Sequence, residues 1–276
     1  MPDEAIALLR EGIAAGDIGM LRAAFAAGAD PNARLNGLHD TALLIATASG
    51  NLLVMEYLID RGADPDLMTW NAGAPIHQAT RRNQVDAVET LLRLGAAVDL
   101  RDMNNMTALQ YAAMRRSYDC ARLLLGAGAD PNACHAFTMP PLLLAIERSD
   151  FDMAALLLGE GRADPNVRSR RSHTALHMAV SRGDEALGLI DLLIAKGADV
   201  NARSSTWQGF EDITPLHVAA FHKNLGAMRV LIAGGASPTA RDANGHQPLY
   251  WCREKVSANE PVRRLLQEAI ARIGMA

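Results

Sequence analysis

One stretch, Thr214-Pro215-Leu216-His217-Val218-Ala219-Ala220, recurs in weaker copies along the 276-residue chain and constrains its fold more than any other feature. Copies begin at Thr41, Ala74, Thr107, Pro140, Thr174 and Gln247, so that successive starts lie 33, 33, 33, 34, 40 and 33 residues apart. A second signature precedes the first copy and follows each of the first six about twenty residues on. It reads Gly28-Ala29-Asp30-Pro31-Asn32 at its first occurrence, Gly128-Ala129-Asp130-Pro131-Asn132 in mid-chain and Gly235-Ala236-Ser237-Pro238-Thr239 at its last. A fixed period near 33 residues marks a repeat array, in which each unit buries its apolar face only by stacking on its neighbours.

The residue types of one unit explain its local structure. Thr214 suits the N-cap, where a hydroxyl can accept an orphan backbone N–H. Pro215 suits the first helical position, since its fixed φ is already helical and its missing N–H is not needed there. Leu216 then enters the core, and Ala219 and Ala220 favour helix without bulk, so a neighbouring helix can approach. Residues 224–234 form a second helix whose Leu225, Met228, Leu231 and Ile232 share one face. Gly234 and Gly235 end it in the left-handed conformation, and Pro238 prevents its continuation.

The pair T-P-L-H-x-A and G-A-D-x-N at this period resembles the ankyrin repeat. That resemblance implies an all-α ankyrin-repeat solenoid of helix-turn-helix units, the connecting residues projecting sideways as β-turn fingers. The tetratricopeptide repeat has a period only one residue longer but lacks the proline-bearing turn. Residues 1–31 then read as an N-terminal cap, 32–239 as internal repeats and 240–276 as a C-terminal capping repeat, giving about eight helical pairs in a single domain. Two irregularities stand out. A longer second helix, 184–195, absorbs two extra residues, and residues 202–213 enlarge one finger into a loop, expected to serve recognition and not bracing.

Composition narrows the function classes. A net charge of -4 provides no general attraction for nucleic acid, so any basic feature has to be local. Cys120, Cys134 and Cys252 are odd in number and lack C-x-x-C spacing, which supports neither a disulfide framework nor a zinc site. The acidic start, Met1-Pro2-Asp3-Glu4, is unlike a signal peptide, and no apolar run approaches a membrane span. A cytoplasmic monomer with no cofactor, metal or membrane is the expectation.

Catalytic signatures are missing: the chain has no G-x-S-x-G elbow, Walker loop, H-E-x-x-H or dinucleotide glycine pattern. His39-Asp40 falls just before a cap threonine, where turn chemistry accounts for it. Cys134-His135 has no orienting third group. The resemblance assigns His77, His177 and His217 to hydrogen bonding within the turn. No enzyme is expected.

The finger tips carry Leu35, Trp70, Met103, Phe137, Arg170 with Arg171, and Trp207 with Phe210, where the ankyrin pattern usually has polar residues. Leu35 and Met103 are expected to fold back, and Trp70 and Trp207 to meet a partner, since tryptophan is frequent among binding hot spots. Eight residues after each motif start stand Ser49, Arg82, Arg115, Arg148, Arg182, His222 and Lys255. The resemblance places this register in the concave groove. Two readings compete there. Cations near a helix C-terminus are favoured by the macrodipole at about 0.3 to 1 kcal/mol. Cations on neighbouring helices, about 8 to 10 Å apart, also repel one another, and an acidic ligand relieves that repulsion. The sequence therefore predicts a scaffold that binds an acidic partner polypeptide through Arg82, Arg115, Arg148, Arg182, Trp70, Phe137, Arg170, Trp207 and Phe210. The alternative is a nucleotide or single-stranded nucleic acid along the arginine register, for which Trp70 and Trp207 make a poor continuous stacking platform.

Overall fold

The computed structural model describes residues 2–35, 40–70, 73–205, 209–252 and 260–274. The chain divides into two compact units, Met1–Thr138 and Met139–Ala276. In the first unit, helices pair as α1 (Pro2–Ala15) with α2 (Ile18–Ala26), α3 (Ala42–Ser49) with α4 (Leu52–Asp60), α5 (Pro75–Arg81) with α6 (Val85–Arg93), and α7 (Ala108–Arg115) with α8 (Tyr118–Gly126). The second unit pairs α9 (Pro141–Glu147) with α10 (Phe151–Gly159), α11 (Ala175–Val180) with α12 (Leu187–Ala195), and α13 (Pro215–Phe221) with α14 (Leu225–Ala233). It closes with a 3-10 turn, Pro248–Cys252, set against α15 (Glu260–Gly274). Among the described residues there is no strand, and the fingers contain four isolated antiparallel bridges: Arg34 with Thr41, Thr69 with Gly73, Arg168 with Thr174, and Ser204 with Ile213.

Helices of six to nine residues are too short to persist alone, so each depends on what it buries. Outside the first pair, the first helix of a pair is buried nearly all round, as in α9, where every residue from Pro141 to Ile146 is out of solvent. The second helix buries a stripe. In α14 that stripe is Ala227, Met228 and Leu231, while Leu225 and Ile232, expected in it, stay partly exposed. Caps open the first helices: the hydroxyls of Thr41 and Thr107 accept the N–H of Leu44 and Gln110 at 3.2 and 3.3 Å. At Thr174 and Thr214 a capping box forms with His177 and His217, and the hydroxyl also lies 2.9 Å from the imidazole Nδ1.

The fingers are tied to one another by the last residue of the second signature. The Asn166 amide donates to Gly197 O at 3.0 Å, and its oxygen accepts the Asp199 N–H at 2.8 Å. Asn201 repeats both bonds with Gly235 and Ser237, as does Asn32 with Gly62 and Asp64. Where the residue is aspartate, the acceptor half alone survives: Asp66 takes the Ala97 N–H and Asp99 the Asp130 N–H. The aspartate two residues earlier folds the turn itself, as when Asp164 accepts the Asn166 N–H at 2.8 Å.

Both irregularities have local explanations. The extra residues before α12 form a separate 3-10 turn, Asp184–Ala186, entered through Gly183 at φ 84°, so α12 keeps the nine residues of its counterparts and the expected lengthening does not occur. The enlarged finger is bolted at its base, where Ser204 and Ile213 pair and Ala243 donates its N–H to Glu211 O at 3.1 Å. Its base thus braces the next finger, contrary to the expectation that the loop serves recognition alone.

The glycine ending each second helix adopts φ near 90° at residues 28, 62, 95, 128, 197 and 235. Arg162 occupies the equivalent place at φ 52°, where a side chain costs about 1 kcal/mol. Replacing Arg162→Gly is expected to raise stability by about 0.5 kcal/mol after the entropy of glycine in the unfolded chain is subtracted. Gly128→Ala, whose new Cβ meets no atom within 4 Å, should instead lower it by about 1 kcal/mol for conformational reasons alone. Urea denaturation of the two variants measures both signs.

Candidate functional site

The finger tips divide by what the turn beneath them buries. Leu35 is 1% exposed, packed as expected. Met103, also expected to fold back, is 55% exposed. The residue this finger buries is Asp102, which accepts the N–H of Asn104 and Met106 at 2.9 Å and the Tyr111 hydroxyl at 2.6 Å, leaving Met103 at the tip. Burial pushes the Asp102 carboxyl up, but these donors outweigh it and hold the group below the usual carboxylate range. Trp70 and Phe137 are 74% and 78% exposed. Trp207 lies outside the described residues. Phe210 is only half-buried at 36%, because its ring meets Trp251 edge-on at 4.3 Å.

The arginine register is divided between the units, with Arg82 and Arg115 in the first and Arg148 and Arg182 in the second. All four are exposed at or just beyond helix C-termini. Arg82 donates to Ala48 O at 2.9 Å, in the last turn of α3, so at this site the helix-terminus role is occupied.

In the second unit, side chains from one finger and two first helices surround a cleft of about 420 Å³. Arg170, Arg171 and His173 enter from the finger, Ser181 and Arg182 from the end of α11, and Glu147 from α9, with Met139 and Met178 supplying apolar surface. Three arginines against one glutamate leave the lining cationic at 3 - 1 = +2 with the histidine neutral. The finger is held in place. Arg168 donates to Ser172 O and, at 2.8 Å, to Arg203 O of the next finger, while the Ser205 hydroxyl donates to Arg171 O at 3.0 Å. Of the residues singled out from the sequence, Arg170 and Arg182 thus meet in one cleft, whereas Arg148 is not part of its lining.

A sequence model of ankyrin repeats in three copies matches residues 12–102, 43–135, 127–204 and 185–274. The chain belongs to the ankyrin-repeat family. Mitochondrial disaggregase of Bos taurus is 29% identical over 92 residues, 33% of this chain and 13% of that protein. Protein fem-1 homolog A of Danio rerio is 35% identical over 104 residues, 34% of this chain and 16% of that protein. The chain therefore matches less than a fifth of the length of either relative. Among solved structures, the ankyrin repeat domain of Bcl-3, a member of the IkappaB protein family, superposes with a TM-score of 0.69 at 26% identity, covering 83% of this chain and 98% of that one. Ankyrin repeats are protein-protein interaction modules, and the all-helical paired architecture above is theirs.

The ankyrin histidines are fully engaged in structure. In His77, His177 and His217 the Nε2 lies 2.9, 3.0 and 3.1 Å from a carbonyl oxygen of the next finger and so must carry the proton. Nδ1 is then an acceptor, taking the N–H of Ala74, Thr174 and Thr214. Burial lowers the pKa of all three, that of His177 to about 4. Burial also raises the Cys120 and Cys252 thiols to about 11, which makes them poor nucleophiles. Among the described residues, no group of three or more His, Cys, Asp and Glu could hold a metal ion, and no helix is long and apolar enough to cross a membrane.

A finger arginine escaped the sequence reading. Arg34, Arg101, Arg168, Arg203 and Arg241 each stand two residues after the asparagine position and donate to backbone carbonyls, with Arg203 reaching Arg241 O at 2.8 Å. Their regular offset was the available signal.

These histidines give the ankyrin stack a defined acid response. Below the unfolded pKa of about 6.5 the unfolded chain binds protons that the folded chain refuses, so stability is lost as pH falls toward about 4. For His177 the slope should approach about 1.4 kcal/mol per pH unit between these two pKa values. Gln110 already fills the histidine position in one repeat, accepting the Thr107 N–H at 2.8 Å. A His177→Gln variant should therefore fold and lose less stability between pH 7 and 5 in urea titrations. An unchanged slope would remove His177 from the account.

Proposed function

We propose that this protein is a non-catalytic binding module whose second unit holds an acidic segment of a partner polypeptide in the Met139, Arg171 and Arg182 cleft. The observation that carries the reading is the meeting of three arginines with two methionine side chains in a hollow of about 420 Å³. Such a surface suits a chain that alternates carboxylates with apolar side chains. A carboxylate about 4 Å from a guanidinium gains on the order of 1 kcal/mol in water and about 4 kcal/mol near a protein surface. Arginine adds bidentate geometry that lysine lacks. The bonds from Arg168, Ser205 and their backbone partners support a preorganised finger, which lowers the entropy lost on binding. Exposed Trp70 and Phe137 in the first unit are further candidate contacts of the partner.

A fluorescein-labelled peptide alternating glutamate and leucine provides the test. It should bind at low ionic strength, and Arg171→Gln with Arg182→Gln should weaken it about tenfold and flatten its salt dependence, because screened attraction is removed. An excess of oligodeoxythymidylate should not displace it. Equal binding by the double variant at low salt, or displacement by the oligonucleotide, contradicts the reading.

A further inference from the structure

The capping end of the second unit contains a different kind of hollow. Phe210 from the enlarged finger, Phe221 from the end of α13 and Trp251 from the terminal 3-10 turn border a space of about 430 Å³ whose lining is mainly apolar. The Trp251 ring sits 4.3 Å from that of Phe210 and 5.8 Å from that of Phe221, both edge-on. These rings do not complete a closed core: Phe210 and Phe221 keep about a third of their surface exposed beside the opening. The volume lies within the range of ligand pockets, about 300 to 1,000 Å³.

A second hollow of about 580 Å³ adjoins the first. The two share His246 and Tyr250, whose rings stack at 3.6 Å. Arg241 and Arg263 line the second hollow and Lys223 lines the first, and among the described residues no aspartate or glutamate lines either. Asp242 lies behind them, but its side chain is 1% exposed and is engaged by the N–H groups of Asn244 and His246 and by the Trp251 indole N–H. An apolar, aromatic-walled space next to a cationic one is complementary to a ligand with a ring and a negative charge side by side.

We propose that Phe210, Phe221 and Trp251 form a socket for an aromatic side chain of a partner polypeptide, with carboxylates on the following residues paired to Arg241 and Arg263. The proposal rests on the reading of the protein as a polypeptide-binding module, yet it uses none of the arginines of the other cleft. Edge-on contact between rings is a favoured aromatic geometry, and Trp251 already adopts it toward Phe210, Phe221 and His217, so a further ring would join an existing aromatic cluster.

The probe is a short fluorescein-labelled peptide of glycine and serine carrying one phenylalanine followed by two glutamates, titrated into the full chain. Exchanging its phenylalanine for alanine, or its glutamates for glutamines, should weaken binding about tenfold each. Trp251 reports directly once Trp70→Phe and Trp207→Phe make it the sole tryptophan of three. Its emission should shift with the phenylalanine peptide and not with the alanine one. Phe221→Ser should weaken the probe about tenfold, and Arg263→Gln should flatten its salt dependence. Arg171→Gln with Arg182→Gln should leave it unchanged. Loss of the probe in that double variant but not in Phe221→Ser would overturn the socket while leaving the cleft standing. Equal binding of the alanine peptide, or an unmoved Trp251 emission, overturns it whatever the variants do.

Discussion

Side-chain bridges from one finger to the backbone of the next hold each unit in register, and the remaining structure depends on them. Among the described residues, the helices between α1 and α15 run six to nine residues, too short to stand alone, and hydrophobic contact between neighbouring pairs is non-directional. Direction comes from bonds that only one stacking register can make. Asn166 and Asn201 supply them at the finger base, and His177 and His217 supply them from the first helix to the following finger. His177 and His217 are fully buried, so removing either would leave its carbonyl partner poorly satisfied, which costs more than the bond itself contributes.

The same bridges decide where function can reside. Histidines and aspartates that might have carried chemistry are engaged in holding fingers, as Asp102 is by Tyr111, Asn104 and Met106. The groups proposed for recognition are finger-tip and helix-end side chains on a hydrogen-bonded frame. In the second unit they form two unlike surfaces, a cationic cleft with methionine walls and an aromatic socket beside a cationic hollow.

Much of this fold is written in the period of the sequence, since cap threonine, helical proline, terminating glycine and finger asparagine act within a few residues of their own position. The burial of Leu35 and the exposure of Trp70 were legible in that way. Met103 was not, because its exposure follows from the decision of a neighbour, Asp102, to turn inward and collect three donors. The packing of Phe210 on Trp251 was hidden for a related reason: it joins the enlarged finger to a terminal turn 41 residues away, and no periodic rule covers an insertion. Arg170 and Arg182 belonged to two separate patterns, and only the fold of one finger against α11 brings them into one cleft.

Methionine methyl groups offer the most direct test of the central claim, that the rigid finger and helix ends of the second unit form the binding surface. The chain has 12 methionines, of which Met139 and Met178 line the cleft and Met103 is exposed on a finger of the first unit. In a methyl-labelled sample titrated with the glutamate and leucine peptide, the resonances of Met139 and Met178 should shift in a saturable manner while that of Met103 stays in place. Shifts confined to Met103, or no shift at Met139 and Met178 under conditions where the peptide binds, would contradict the account.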